Sequence, residues 1–137
     1  MHIKRILHIG IAVAELESGK RLYHNVLGLP VSKEEVYQED YNLCFLPVKE
    51  TEIELFSDVN PGGPVAEIID DLGGEGVHHI AFEVDDIHSA VEELKEQGIP
   101  MLDEVPKPGA EGTMIAYLHP SATHGTRIEL VEVLKDS

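Results

Sequence analysis

The sequence predicts an α+β fold made of two copies of one module, each a strand, a helix and then several strands. Three observations predict it. The run His8-Ile-Gly-Ile-Ala-Val13 returns as His79-Ile-Ala-Phe-Glu-Val84, at an offset of 71. The helical stretch after each run reaches Gly28-Leu29-Pro30 or Gly98-Ile99-Pro100, at an offset of 70. Near the end of each copy an apolar strand carries one carboxylate, Ile53-Glu54-Leu55 and Ile128-Glu129-Leu130, at an offset of 75. Recurrence in one fixed order, with small changes of offset, is what duplication followed by loop changes leaves behind.

The elements follow from local chemistry. Leu7 to Val13 is rich in β-branched residues and reads as a strand. Glu15 to Leu27 has helical spacing at Leu16, Leu22, Tyr23 and Val26, and Gly28 stops it. A strand is expected near Val31 to Val36, then Leu43 to Val48 and Thr51 to Phe56, joined by a tight turn at Lys49-Glu50. Val65 to Leu72 is a short helix, and Gly73 to Gly76 links the halves. The second half reads as strand Val77 to Val84, helix Ile87 to Gln97, and strands around Met101, Met114 to Leu118 and Arg127 to Val133. Pro106 to Gly112 is a loop by composition. The expected organisation is one domain, 1–137, with a first module at 1–72 and a second at 77–137.

Composition narrows the partners. The 137 residues suit one domain with a real core. The formal charge of −16 repels phosphate backbones and anionic lipid, so neither a nucleic acid nor a membrane is an expected partner. No apolar run approaches the ~18 residues of a membrane helix, and Met1-His2-Ile3-Lys4-Arg5 lacks the long apolar run expected of a signal peptide. A single cysteine, Cys44, excludes an intrachain disulfide and suits a reducing, cytoplasmic location. An anionic ligand would need a local positive source such as a metal ion. Ten basic residues, Arg127 among them, are all that otherwise offset such a ligand's charge.

Alternation then sorts the strand side chains. His8, Gly10 and Ala12 share one face; His79, Ala81 and Glu83 share the matching one. The opposite faces, Ile9, Ile11 and Val13 or Ile80, Phe82 and Val84, are bulky and suited to packing under a helix. Glu54 and Glu129 each stand amid apolar neighbours, where a carboxylate is costly unless paired or bound to metal. A lone strand histidine is usually structural, and a lone strand glutamate usually solvated. Repetition of both at matched positions favours His8, Glu54, His79 and Glu129 as ligands of one divalent ion. Two imidazoles and two carboxylates suit Co²⁺, Ni²⁺, Zn²⁺, Mn²⁺ or Fe²⁺. His78 points to the other face and reads as a structural or surface residue. His2, His24, His88 and His124 have no repeat partner and read as surface residues. His119 reads as part of a turn, Cys44 as a core residue, and the acidic helix from Asp85 as a solvated face.

At these residues the chain resembles the vicinal oxygen chelate superfamily, and within it the methylmalonyl-CoA epimerases. The resemblance rests on Leu7-His8-Ile9-Gly10-Ile11-Ala12-Val13, Gly76-Val77-His78-His79-Ile80, Glu83-Val84-Asp85-Asp86-Ile87 and Leu102-Asp103-Glu104. It continues through Gly109-Ala110-Glu111-Gly112, Leu118-His119-Pro120 and Ile128-Glu129-Leu130. It implies paired βαβββ modules whose mixed sheets form a metal-containing cleft, with Co²⁺ first among the ions. It maps the family's ligands onto His8, His79 and Glu129, with the fourth at Glu54. The substrate it implies is a small-molecule acyl-CoA, epimerised at carbon 2 through an enolate that the ion stabilises. Glu129 is the first choice of base and Glu54 the second, and a homodimer is expected. The chain departs from the family at Glu54, where some epimerases carry glutamine; glyoxalase I carries glutamate there. It departs again at Ser121, where lysine is common, and at Glu111, where histidine is common. The alternatives are a glyoxalase I type isomerisation of a hemithioacetal and a non-catalytic ligand-binding protein of the same fold.

Overall fold

The computed structural model describes residues 1–110 and 112–134. Glu111 of the Gly-Ala-Glu-Gly loop lies outside the described residues. Each module is a strand, a helix and three strands. The first runs β1 (Ile3–Ala12), α1 (Leu16–Lys20), β2 (Lys33–Tyr37), β3 (Tyr41–Val48) and β4 (Thr51–Asp58), followed by α2 (Pro64–Leu72). The second runs β5 (Gly76–Val84), α3 (Ile87–Glu96), β6 (Lys107–Pro108), β7 (Thr113–Tyr117) and β8 (Arg127–Val133). Strand order is β2-β3-β4-β1 in the first and β6-β7-β8-β5 in the second, the same order twice. In both, the outer hairpins are antiparallel, while β1 with β4 and β5 with β8 run parallel. No described helix is long and apolar enough to cross a membrane.

By packing, the chain forms two compact units: His8–His78, and Met1–Leu7 with the residues from His79 on. In the first unit, Ile11, Val13, Cys44, Leu46 and Leu55 are buried together, with Leu16 and Tyr23 of the first helix packed on them. That helix begins as α1 and widens into a π-helical segment, Arg21–Val26, in which Leu27 N–H donates to the Leu22 carbonyl at 2.9 Å. Gly28 ends it at φ +81°, a left-handed conformation that favours glycine. The Asp58 carboxylate starts α2 by accepting from the amides of Val65 (2.8 Å) and Ala66 (2.9 Å).

In the second unit, Ile87, Ala90 and Val91 of α3 pack on Val84, Ala116 and Leu130. Asp86 caps α3 by accepting from Ser89 N–H at 3.1 Å. Gly98 ends it at φ +79°, repeating Gly28. Burial of each large side chain here contributes roughly 1.5–3 kcal/mol. The opposite face of the same sheet carries Leu7, Ala81, Ile115 and Val131, with Tyr117 beside them. Period-two alternation therefore assigns each face as read from the sequence.

Three elements differ from the sequence reading. β1 starts at Ile3, because Lys4 and Arg5 are held in place by Glu83, a buried carboxylate on β5. The loop at 106–112 contains the short strand β6, paired with β7 at Lys107↔Ile115. The strand around Met101 reduces to one bridge, Met101↔Leu118.

Candidate metal centre

In the first unit His8 stands on β1 and Glu54 on β4. Both are buried, at 8% and 7% exposure. Parallel register sets Gly10 opposite Glu54, so His8 lies one pleat away on the same face. The His8 Nε2 to Glu54 Oε2 distance is 3.8 Å. Phe45 of β3 is the other cross-strand partner of Glu54. Its ring meets the His8 imidazole edge-on, with centroids 6.4 Å apart.

The second unit repeats the arrangement. His79 of β5 and Glu129 of β8 are buried, at 4% and 5% exposure. Ala81 is opposite Glu129, and Tyr117 of β7 flanks Glu129 from the other side. His79 Nε2 lies 3.4 Å from Glu129 Oε1. The Tyr117 ring meets the His79 imidazole edge-on at 5.8 Å. Each unit thus builds one buried imidazole–carboxylate pair on a two-strand parallel ladder, backed by one aromatic ring.

These pairs fit a divalent ion. Imidazole and carboxylate ligands sit about 2.0–2.2 Å from such an ion, which places neighbouring donor atoms roughly 3–3.5 Å apart. The observed 3.4 and 3.8 Å are at or close to that separation. The 3.8 Å pair is too long for a hydrogen bond. Carboxylates as buried as these are retained where a cation or a donor set compensates them.

The remaining residues singled out from the sequence have other work. His78 is half-buried with its ring against Phe56, centroids 5.5 Å apart. His2, His24, His88 and His124 are exposed. His119 is exposed and caps the 3-10 turn Pro120–Ala122, its Nδ1 accepting from Ser121 N–H at 3.1 Å. Cys44 is fully buried, and burial, then the nearby Glu34 charge, pushes its thiol pKa up. Asp103 pins β7, accepting from Tyr117 N–H at 2.8 Å. Sequence reasoning missed Phe45 and Tyr117. The signal was present, since they recur at an offset of 72, within the range of the other repeats.

Residues 7–117 match the family described as the Glyoxalase/Bleomycin resistance protein/Dioxygenase superfamily, and the chain belongs to that superfamily. Within it, the similarity is to methylmalonyl-CoA epimerases. The mitochondrial methylmalonyl-CoA epimerase of Dictyostelium discoideum is 36% identical over 95% of this chain and 79% of its own length. The ethylmalonyl-CoA/methylmalonyl-CoA epimerase of Cereibacter sphaeroides is 35% identical over 96% of this chain and 99% of its own. Among solved structures, Streptomyces coelicolor methylmalonyl-CoA epimerase in complex with 2-nitronate-propionyl-CoA superposes with a TM-score of 0.87. It is 28% identical, covering 98% of this chain and 100% of that one.

Proposed function

We propose that the protein is a methylmalonyl-CoA epimerase that interconverts the (2R) and (2S) epimers through one divalent ion held by His8, Glu54, His79 and Glu129. The observation that carries this reading is the repeated buried imidazole–carboxylate pair in a chain that matches epimerases along nearly its whole length. When bound, the ion supplies Lewis-acid stabilisation of the enolate. The chain's own residues do the rest. A carboxylate removes the carbon 2 proton, leaving its electron pair in the enolate, and a proton returned to the opposite face completes the inversion. Glu129 is the first choice of base and Glu54 the second, and the duplication supplies one carboxylate from each module. The imidazoles hold position against Phe45 and Tyr117. The reading includes Co²⁺ as the first-choice ion, a homodimer, and a cytoplasmic location.

Metal-loaded protein incubated with methylmalonyl-CoA in D₂O tests it. Deuterium is expected at carbon 2, exchange should stop on chelation, and Glu129→Gln should lose far more rate than binding. Isomerisation of the methylglyoxal–glutathione hemithioacetal, with methylmalonyl-CoA left unexchanged, would replace this reading with a glyoxalase one. Neither reaction would leave a binding protein.

A further inference from the structure

Arg127 opens β8 two residues before Glu129, so alternation puts both side chains on one face. Parallel register sets Arg127 directly opposite His79. The arginine is half-buried. In a chain with 26 acidic and 10 basic residues, an arginine normally finds a carboxylate. Among the described residues Lys4, Arg5, Lys20, Lys33, Lys95 and Lys107 each do. Arg127 forms no ion pair among the described residues; Arg21 and Lys49 also lack one there, but both are exposed. Withdrawing a guanidinium from water without an anion is unfavourable, so this position calls for an external one.

The duplication sharpens the point. The first-module counterpart of Arg127 is Glu52, opposite His8 in the β1–β4 ladder as Arg127 is opposite His79. Glu52 is satisfied locally, accepting from Ser32 Oγ at 3.0 Å. The two copies have kept histidine and glutamate and reversed the charge beside them. Of the two matched positions, only the second-module one offers an anion a cationic partner.

We propose that Arg127 binds the free carboxylate of the substrate's acyl head and so selects 2-carboxyacyl thioesters over uncharged ones. This rests on the epimerase reading. The acyl head, not the distal CoA phosphates, belongs beside His79 and Glu129, because that is where the carbon 2 chemistry occurs. A planar guanidinium suits a carboxylate, donating N–H groups to its oxygens.

Calorimetric binding of malonyl-CoA and acetyl-CoA to the metal-loaded protein tests the proposal, since the two ligands differ only in that carboxylate. The wild type should prefer malonyl-CoA. Arg127→Gln should lose about 10- to 100-fold of that preference, the range of a charged hydrogen bond, with acetyl-CoA binding unchanged. Arg127→Lys should keep part of it, and metal content should be unaffected in both variants. Equal weakening of the two ligands would overturn the proposal, as would a preference that survives in Arg127→Gln. The D₂O experiment separates the two readings. A malonyl preference that depends on Arg127, without exchange at carbon 2, leaves the anchor standing and removes the epimerase. Exchange in the wild type, with an unchanged preference in Arg127→Gln, removes the anchor alone.

Discussion

Stripping the proposed ion should lower thermal stability by an amount that can be stated beforehand. The four proposed ligands are buried side chains fixed on strands, so the folded chain would bind the ion and the unfolded chain would do so far less. With free metal at a thousand times its dissociation constant, the gain is about 4.1 kcal/mol. An unfolding entropy of about 0.29 kcal/mol/K for 137 residues converts this to about 14 °C in Tm. A hundredfold excess gives about 2.7 kcal/mol and roughly 9 °C. Differential scanning calorimetry of protein in chelator, and of the same sample after Co²⁺ is added back, measures the shift. His79→Ala should abolish most of the response. His78→Ala, whose ring packs on Phe56, should lower the starting Tm and keep the response. A melting curve indifferent to both chelator and metal would refute the reasoning, and so would equal losses in the two histidine variants.

Three further outcomes follow from local geometry. Arg5→Ala leaves the buried Glu83, among the described residues, with the more exposed Lys4 alone, and should cost about 1–3 kcal/mol in urea unfolding; an unchanged midpoint counts against the pair. Gly109→Ala would place a Cβ 2.5 Å from Ile115 Cγ2 and 2.7 Å from Thr113 Oγ1, so a loss of roughly 1–3 kcal/mol is expected from overpacking, and a neutral result would show that the loop moves freely. Native Cys44 should resist thiol reagents at neutral pH and react once in denaturant, because its raised pKa keeps it protonated in the core. The sign for stability follows: the unfolded thiol ionises first, so folding weakens as pH rises above the ordinary thiol value.

Much of the fold is legible because the repeat supplies each half with a template for the other. Alternation assigns the faces at His8 to Val13 and His79 to Val84 because strand geometry puts successive side chains on opposite faces. The β1 extension is illegible: Lys4 and Arg5 show no apolar alternation, and their partner Glu83 lies nearly eighty residues on. β6 is hidden by composition, since Lys107–Pro108 sits in a run that looks like loop and is a strand only because β7 pairs with it. At the centre, residue type and matched spacing point to His8, Glu54, His79 and Glu129. Phe45, Tyr117 and Arg127 gain their meaning from cross-strand register, which no single stretch of chain displays.

The boundary between the compact units falls inside two strands, between Leu7 and His8 and between His78 and His79. This bears on how such a chain can be cut and recombined. Severing it at the glycine linker would strand Leu7 and Arg5 on one fragment, and leave the other with a hole beside Ala81, Ile115 and Val131 and an uncompensated Glu83. The interchangeable cassette is 8–78, whose first residue is a proposed ligand and whose last is the packing histidine against Phe56. Chimeras joined at these two seams should trade whole imidazole–carboxylate pairs between relatives, whereas crossovers at the linker should yield insoluble halves.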